Sequence, residues 1–219
     1  MKSIDIETIP NNDLIQSLPE PEIAIGNIKD PAKIEEKRKE AKQKQIDKMA
    51  LSPFYGRICS FSACGESEKY FKVIPEISDA AEIELVSHIL ESLIVGAPET
   101  NRIITWNGYS FDFPFIYKRA ACLKIPLPAG CPGLGYWTRK YSQNPHCDLM
   151  QELAGWQTEN RVGLDEAGKQ FLGVGKSEHD FTKFITMIQE GNGNEIGTYN
   201  LGDAELTYNV YNFLSPYLF

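Results

Sequence analysis

The sequence predicts an α/β fold in which helices pack on a sheet of mixed strand direction. Three observations predict it: an alternating segment at the amino terminus, a hairpin-like pair near the middle, and a later strand set among segments of helical period. One domain suffices for the 219 residues, which are enough to bury a sizeable core.

Residues 2–8 alternate around Ile4 and Ile6, so Asp5 and Glu7 share the opposite face of the first strand. Pro10, Asn11 and Asn12 end it, and Pro19, Pro21 and Gly26 mark an irregular stretch. The charged run 31–50 predicts a helix capped by Asp30 with Pro31 in its first turn, largely in solvent because its apolar positions are few. Segments 57–63 and 69–74 read as a hairpin around Gly65. Ser78 caps a predicted helix over 79–95, with Ile83, Val86, Ile89, Leu90 and Leu93 as its apolar positions. A strand over 102–106 follows, then a turn at Asn107-Gly108 and a helix over 111–123. Residues 126–145, rich in Pro, Gly and Tyr, predict a long loop, and helices are expected over 147–154, 164–172, 178–190 and 195–214.

Apolar residues make up 42% and charged residues 24%, which excludes a disordered polymer. No apolar run approaches the ~18 residues that span a bilayer, and the acids at positions 5 and 7 interrupt any export signal, so a cytoplasmic location is expected. Cys59, Cys64, Cys122, Cys131 and Cys147 are an odd set without paired spacing, expected to be reduced and mostly buried thiols. A net charge of −8 argues against a basic sheath for duplex nucleic acid. Segment 29–48 departs from that balance, with eight Lys or Arg against five acids.

Three constellations could carry chemistry. Asp5 and Glu7 on one strand face could share a cation, although a solvated strand face shows the same pattern. Asp112 falls in the first turn of a helix after a strand, where the helix dipole alone favours a carboxylate and where α/β sheets also gather ligands. Tyr199 and Asp203 stack on one helical face at i and i+4, an ordinary pairing by itself.

Taken in order, D-x-E on a first strand, N-x-x-x-F-D at a strand-to-helix turn and Y-x-x-x-D on a late helix resemble the DEDDy 3′–5′ exonucleases, and within them the proofreading domain of family-B DNA polymerases. The likeness runs through Ile4-Asp5-Ile6-Glu7-Thr8, residues 106–114, His146-Cys147-Asp148-Leu149-Met150, residues 163–167 and Tyr199-Asn200-Leu201-Gly202-Asp203. It is similar above all to the stand-alone predicted exonucleases related to those domains. The resemblance implies a ribonuclease H-like fold, a mixed five-stranded sheet flanked by helices, with residues 1–219 as a single exonuclease domain carrying a charged helical insertion at 11–50.

It further implies two divalent metal ions, Mg²⁺ or Mn²⁺. Asp5, Glu7 and Asp203 would hold the first, Asp5 would bridge to the second, Asp112 would support that one through water, and Tyr199 would orient the attacking water. Asn107, and Phe111 beside it, would meet the substrate. The residue types suit the reaction: phosphodiester hydrolysis adds negative charge to an anionic centre, paired cations offset it, and hard cations take carboxylate oxygens. The implied substrate is a single-stranded 3′ end, with DNA favoured, and the implied product is a nucleoside 5′-monophosphate. A separate polymerase is a conceivable partner, and a membrane is not. An RNA-trimming exonuclease and a non-catalytic nucleic-acid-binding module are the rival readings.

Other signals are set aside. Residues 173–177, Gly-Val-Gly-Lys-Ser, end like a phosphate-binding loop, but Gln170 stands where the leading glycine is required. His146, Cys147 and Cys131 fall short of a zinc set. His88 and His179 sit in predicted helices without a catalytic partner.

Overall fold

The computed structural model describes residues 1–94, 102–178 and 180–218. Strand β1 (Lys2–Pro10) lies at the centre of a five-stranded sheet, antiparallel to β2 (Gly56–Gly65) and parallel to β4 (Ile103–Thr105). The hairpin partner β3 (Lys69–Val73) and the parallel strand β5 (His146–Asp148) form the two edges, giving the order β3-β2-β1-β4-β5. The mixed directions expected from the sequence are present.

Period-2 alternation divides the sheet chemically. Ile4, Ile6, Phe61, Ala63 and Ile103 face a core built with α2 (Asp79–Ser92) and α3 (Asp112–Cys122). On the other face Ile104 and Cys147 pack against Leu206, Val210 and Leu214 of the long helix α8 (Gly193–Leu218), beside α6 (Leu164–Leu172). Where α8 crosses β1 and β2, the sheet offers serines instead of bulky apolar side chains. Ser3 Oγ donates to Ala204 O (2.6 Å), Ser62 Oγ donates to Asn200 O (2.9 Å), and Ser60 Oγ donates to Asn200 Oδ1 (2.9 Å). Small hydroxyl side chains let the helix approach closely while satisfying its buried polar atoms. The pairing of β1 with β2 slips between Glu7 and Thr8, a bulge that re-aims the strand at the position of the second acid.

Between β1 and β2 the chain makes a short 3₁₀ turn (Asn12–Ser17) and α1 (Pro31–Asp47), which buries no residue, as its sparse apolar content predicts. Asp30 caps α1 by accepting the Ala32 N–H at 2.9 Å. The return to the sheet is fixed by Thr8 Oγ1, which donates to Ala50 O (2.7 Å).

Several expectations change. The helix predicted from 147 begins instead as β5, with α5 (Leu149–Leu153) after it; three residues with polar ends are too short to show alternation. Ile83 is 38% exposed, whereas Leu85 is buried. The buried stripe of α2 includes Glu82, which accepts from Arg57, Arg119 and the Ile58 N–H, so a count of apolar residues misplaces the face. The loop 126–145 contains α4 (Leu134–Trp137), pinned where buried Trp137 stacks on Phe113 with ring centroids 5.1 Å apart. The helix expected over 178–190 is a 3₁₀ turn (Phe181–Lys183) followed by α7 (Phe184–Gln189). His179 and residue 95 lie outside the described residues. Cys59, Cys64 and Cys147 are buried free thiols, while Cys131 is half-buried and Cys122 exposed. Among the described residues, no helix is long and apolar enough to cross a membrane.

The close approach of α8 to the hairpin depends on Gly197, where a Cβ would lie 2.1 Å from the Phe71 ring. Gly197→Ala should destabilise the fold by about 1–3 kcal/mol in urea titration, and Phe71→Ala in the same chain should make that loss smaller. Full additivity of the two substitutions would show that the ring contact is not what constrains the helix.

Candidate active site

The acidic residues come from three distant parts of the chain. Asp5 and Glu7 leave β1 on the face opposite Ile4 and Ile6, toward α8. Asp203 lies one helical turn after Tyr199 on α8 and is 4% exposed. Carboxylate oxygens of Asp5, Glu7 and Asp203 lie within 4.8 Å of one another. Asp112, the first residue of α3, is outside that trio but adjoins it: its Oδ1 accepts the N–H of Ile6 (3.3 Å), the residue between Asp5 and Glu7.

Electrostatics follow from the crowding. At an effective dielectric constant of ~20, unit charges this close repel by roughly 3–4 kcal/mol. Burial, with Asp112, Glu7 and Asp203 nearby, raises the Asp5 carboxyl well above its ordinary value. Burial and Asp203 push Glu7 up to about 8. Burial lifts Asp112 to about 7, opposed by its backbone hydrogen bonds. The Asp203 carboxyl is raised by burial too, although Lys176 pulls the other way.

Two residues to which the sequence analysis assigned no role complete the site. Lys176 Nζ sits 2.5 Å from Asp203 Oδ2 and 5.3 Å from the centroid of the Tyr199 ring. Burial would lower its pKa, but Asp203 and Tyr199 outweigh that and hold it charged. Asn200 Nδ2 donates to Asp5 Oδ2 at 2.5 Å. Lys176 belongs to the Gly-Val-Gly-Lys-Ser stretch set aside as a truncated phosphate loop; its chemistry lies in the single lysine, not in a loop of backbone amides. Asn200 gave only the signal of adjoining Tyr199.

Tyr199 is 5% exposed, enclosed by the rings of Phe181 and Phe184. Its hydroxyl interacts with Lys176 and Asp203, and burial raises its pKa, so it stays protonated at neutral pH and is no general base.

The turn after β4 is built with similar care. Asn107 has φ 72°, a left-handed conformation that asparagine tolerates better than most residues. Gly108 follows because a Cβ there would lie 2.3 Å from Thr105 Oγ1. That hydroxyl accepts the Gly108 N–H at 3.0 Å and contacts His146 Nε2 at 2.7 Å. His146 Nδ1 meets Trp137 O, and burial lowers its pKa to about 4, so the ring is a neutral strut. Asp148 accepts the backbone N–H groups of Asn107 (3.1 Å) and Tyr109 (2.9 Å). Phe111 is half-buried, packed on Phe115 and the core, leaving part of its ring to solvent.

Comparison with known proteins adds an independent line. A family model described as a predicted 3′–5′ exonuclease related to the exonuclease domain of PolB matches residues 51–215. The chain is 27% identical over 140 residues to a DNA polymerase of Pyrococcus glycovorans, covering 60% of this chain and 18% of that protein. It is 29% identical over 145 residues to DNA polymerase 1 of Saccharolobus solfataricus, covering 60% and 15% respectively. The matched part is thus under a fifth of these curated relatives' length. The family B DNA polymerase of Pyrobaculum calidifontis has a similar fold, with a TM-score of 0.59 at 14% identity over 98% of this chain and 24% of that one. That fold is the ribonuclease H-like arrangement of a mixed five-stranded sheet and flanking helices. The family match begins after β1, so Asp5 and Glu7 join the site through strand pairing in the structure.

Raised carboxyl pKa values make a prediction about pH. Glu7 and Asp112 bind protons more tightly in the folded chain than their ordinary values of 4.5 and 3.8 allow. Their contribution is complete below those ordinary values and is lost as pH rises through about 7 to 8. In cation-free buffer the midpoint of thermal unfolding should therefore fall between about pH 5 and 8, and Glu7→Gln should flatten the upper part of that slope. A slope unchanged in Glu7→Gln would contradict the assignment.

Proposed function

Because the chain belongs to the family of predicted 3′–5′ exonucleases related to the exonuclease domain of PolB, we propose that it hydrolyses the terminal phosphodiester of a single-stranded 3′ end, with DNA as the preferred substrate, and releases nucleoside 5′-monophosphates. The observation that carries this reading is the convergence of Asp5, Glu7 and Asp203 within 4.8 Å, with proton affinities raised by burial and by one another.

The donor set fits hard divalent cations, Mg²⁺ or Mn²⁺. Three carboxylate oxygens gathered within 4.8 Å of one another are the hard, anionic donors such an ion takes, with water and substrate oxygens completing its shell. When bound, a pair of such ions stabilises charge on the attacking and departing oxygens of the phosphodiester. Asp5, Glu7 and Asp203 would hold the ions, with Asp112 supporting them from beside Ile6. Asn200 fixes the orientation of Asp5 through its amide. The Tyr199 hydroxyl, protonated and held at the edge of the cluster, orients the attacking water without taking its proton. Lys176 neutralises Asp203 in the cation-free chain, and its ammonium beside the cluster would offset charge on a substrate phosphate. Asn107 and the open part of Phe111 contact the substrate strand at the crevice beyond the carboxyl end of β4.

The test offers 5′-labelled single-stranded DNA and RNA of one sequence with Mg²⁺ or Mn²⁺. DNA should shorten from its 3′ end, and EDTA should stop it. Asp203→Ala should slow the reaction by roughly 10³-fold or more, through loss of charge stabilisation at the reacting centre. Tyr199→Phe should slow it by only about 10–100-fold, because the ions remain. Equal cleavage by wild type and Asp203→Ala would overturn the proposal, and faster shortening of RNA would overturn the choice of DNA.

A further inference from the structure

Beside the acidic cluster, three loops bring aromatic rings together at the surface. Trp156 lies between Tyr109 and Tyr141, with ring centroids 5.1 Å and 5.3 Å away. The Tyr109 pair meets edge to face at 86°, and Tyr141 is 71% exposed, so flat ring surface remains open. Among the described residues these rings belong to neither apolar core cluster, and the net charge of −8 gives the protein no general attraction for a polyanion. The local cations are different. Exposed Lys140 holds its ammonium 4.9 Å from the Tyr141 ring, and exposed Arg161 binds Gln151 Oε1, whose residue also takes the Trp156 N–H through its backbone carbonyl.

The platform is held rigid and tied to the site. Asp148 accepts the N–H groups of Asn107, Tyr109 and Gln151, which joins the first loop to the last. Glu152 accepts from Gln143 (2.8 Å) and from Trp156 Nε1 (3.1 Å), so its carboxylate, like that of Asp148, is engaged in fastening the loops. Asn107, Tyr141 and Trp156 all have positive φ, near 63–72°, a conformation non-glycine residues hold only where the surroundings impose it.

Aromatic faces interleaved with cations are what a single nucleic-acid strand requires, since every base has a π-face and every linkage a negative charge. We propose that Tyr109, Trp156 and Tyr141 stack the bases lying 5′ of the scissile phosphate, with Lys140 and Arg161 beside the backbone. This rests on the nuclease reading for which strand is held. Asp148 on β5 stands two strand spacings, about 10 Å, from the strand of Asp5, so the loops it fastens lie within reach of a strand whose end sits at the acidic cluster. Holding the retained strand, and not the departing nucleotide, lets product leave while the substrate stays.

The test measures binding and turnover separately. In EDTA, fluorescence anisotropy of a 5′-fluorescein-labelled thymidine octamer should show about tenfold weaker affinity for Trp156→Ala, with Trp156→Phe restoring most of it. An octamer abasic at its second and third nucleotides from the 3′ end should bind wild type and Trp156→Ala alike. With Mn²⁺, kcat/KM on the intact octamer should fall in parallel, mainly through KM. If Trp156→Ala does not fold by circular dichroism, Tyr141→Ala, altered at an exposed ring, takes its place with the same expected loss. Unchanged affinity in a folded variant, or loss of affinity that persists on the abasic octamer, overturns the platform. An octamer that wild type binds but never shortens overturns the nuclease reading and leaves the platform standing, so the two failures are distinguishable.

Discussion

Desolvation of closely set carboxylates, reinforced by their mutual repulsion, governs the chemistry of this site. A fold that brings Asp5, Glu7 and Asp203 together accepts raised proton affinities in the cation-free chain. Lys176 and Asn200 relieve part of that, one by charge and one by a hydrogen bond. Neither removes it, because a single ammonium cannot balance three acids and an amide carries no net charge. The remainder is the affinity available for positive charge from outside.

The rest of the architecture serves to keep those groups close. A central strand fixes two acids on one face, serines on β1 and β2 let α8 sit directly over them, and Gly197 lets the same helix approach the hairpin. Asp112 arrives by a different route, at the start of a helix anchored by apolar packing on the opposite face of the sheet. The family match covers the platform, Asp112 and Asp203 but not β1, so the most conspicuous acid pair is supplied by strand pairing with a segment that match leaves out.

Much of this was legible in the sequence because it depends on local rules. The alternation at 2–8, the hairpin and the Ser78 cap each follow from side-chain periodicity or a backbone requirement, and the structure has all three. The strand face shared by Asp5 and Glu7, and the helical face shared by Tyr199 and Asp203, come from the same geometry. What stayed hidden depends on partners distant in the chain. His146–Asp148 is a strand only because β4 pairs with it. Glu82 enters a buried stripe only because two arginines meet it. Lys176 follows a glycine-rich turn that looks like part of another motif, and its role is set by Asp203 on another helix. Trp156 and Tyr141 carry no pattern of their own, and their loops converge through Glu152.

The most direct test of the central claim is calorimetric titration of the purified chain with Mn²⁺ near pH 8, repeated in buffers of different ionisation enthalpy. Saturable binding that releases protons, weakened at least tenfold by Asp5→Asn, is the result this account requires. Binding that is absent, or that proceeds without proton release and survives Asp5→Asn unchanged, would contradict it.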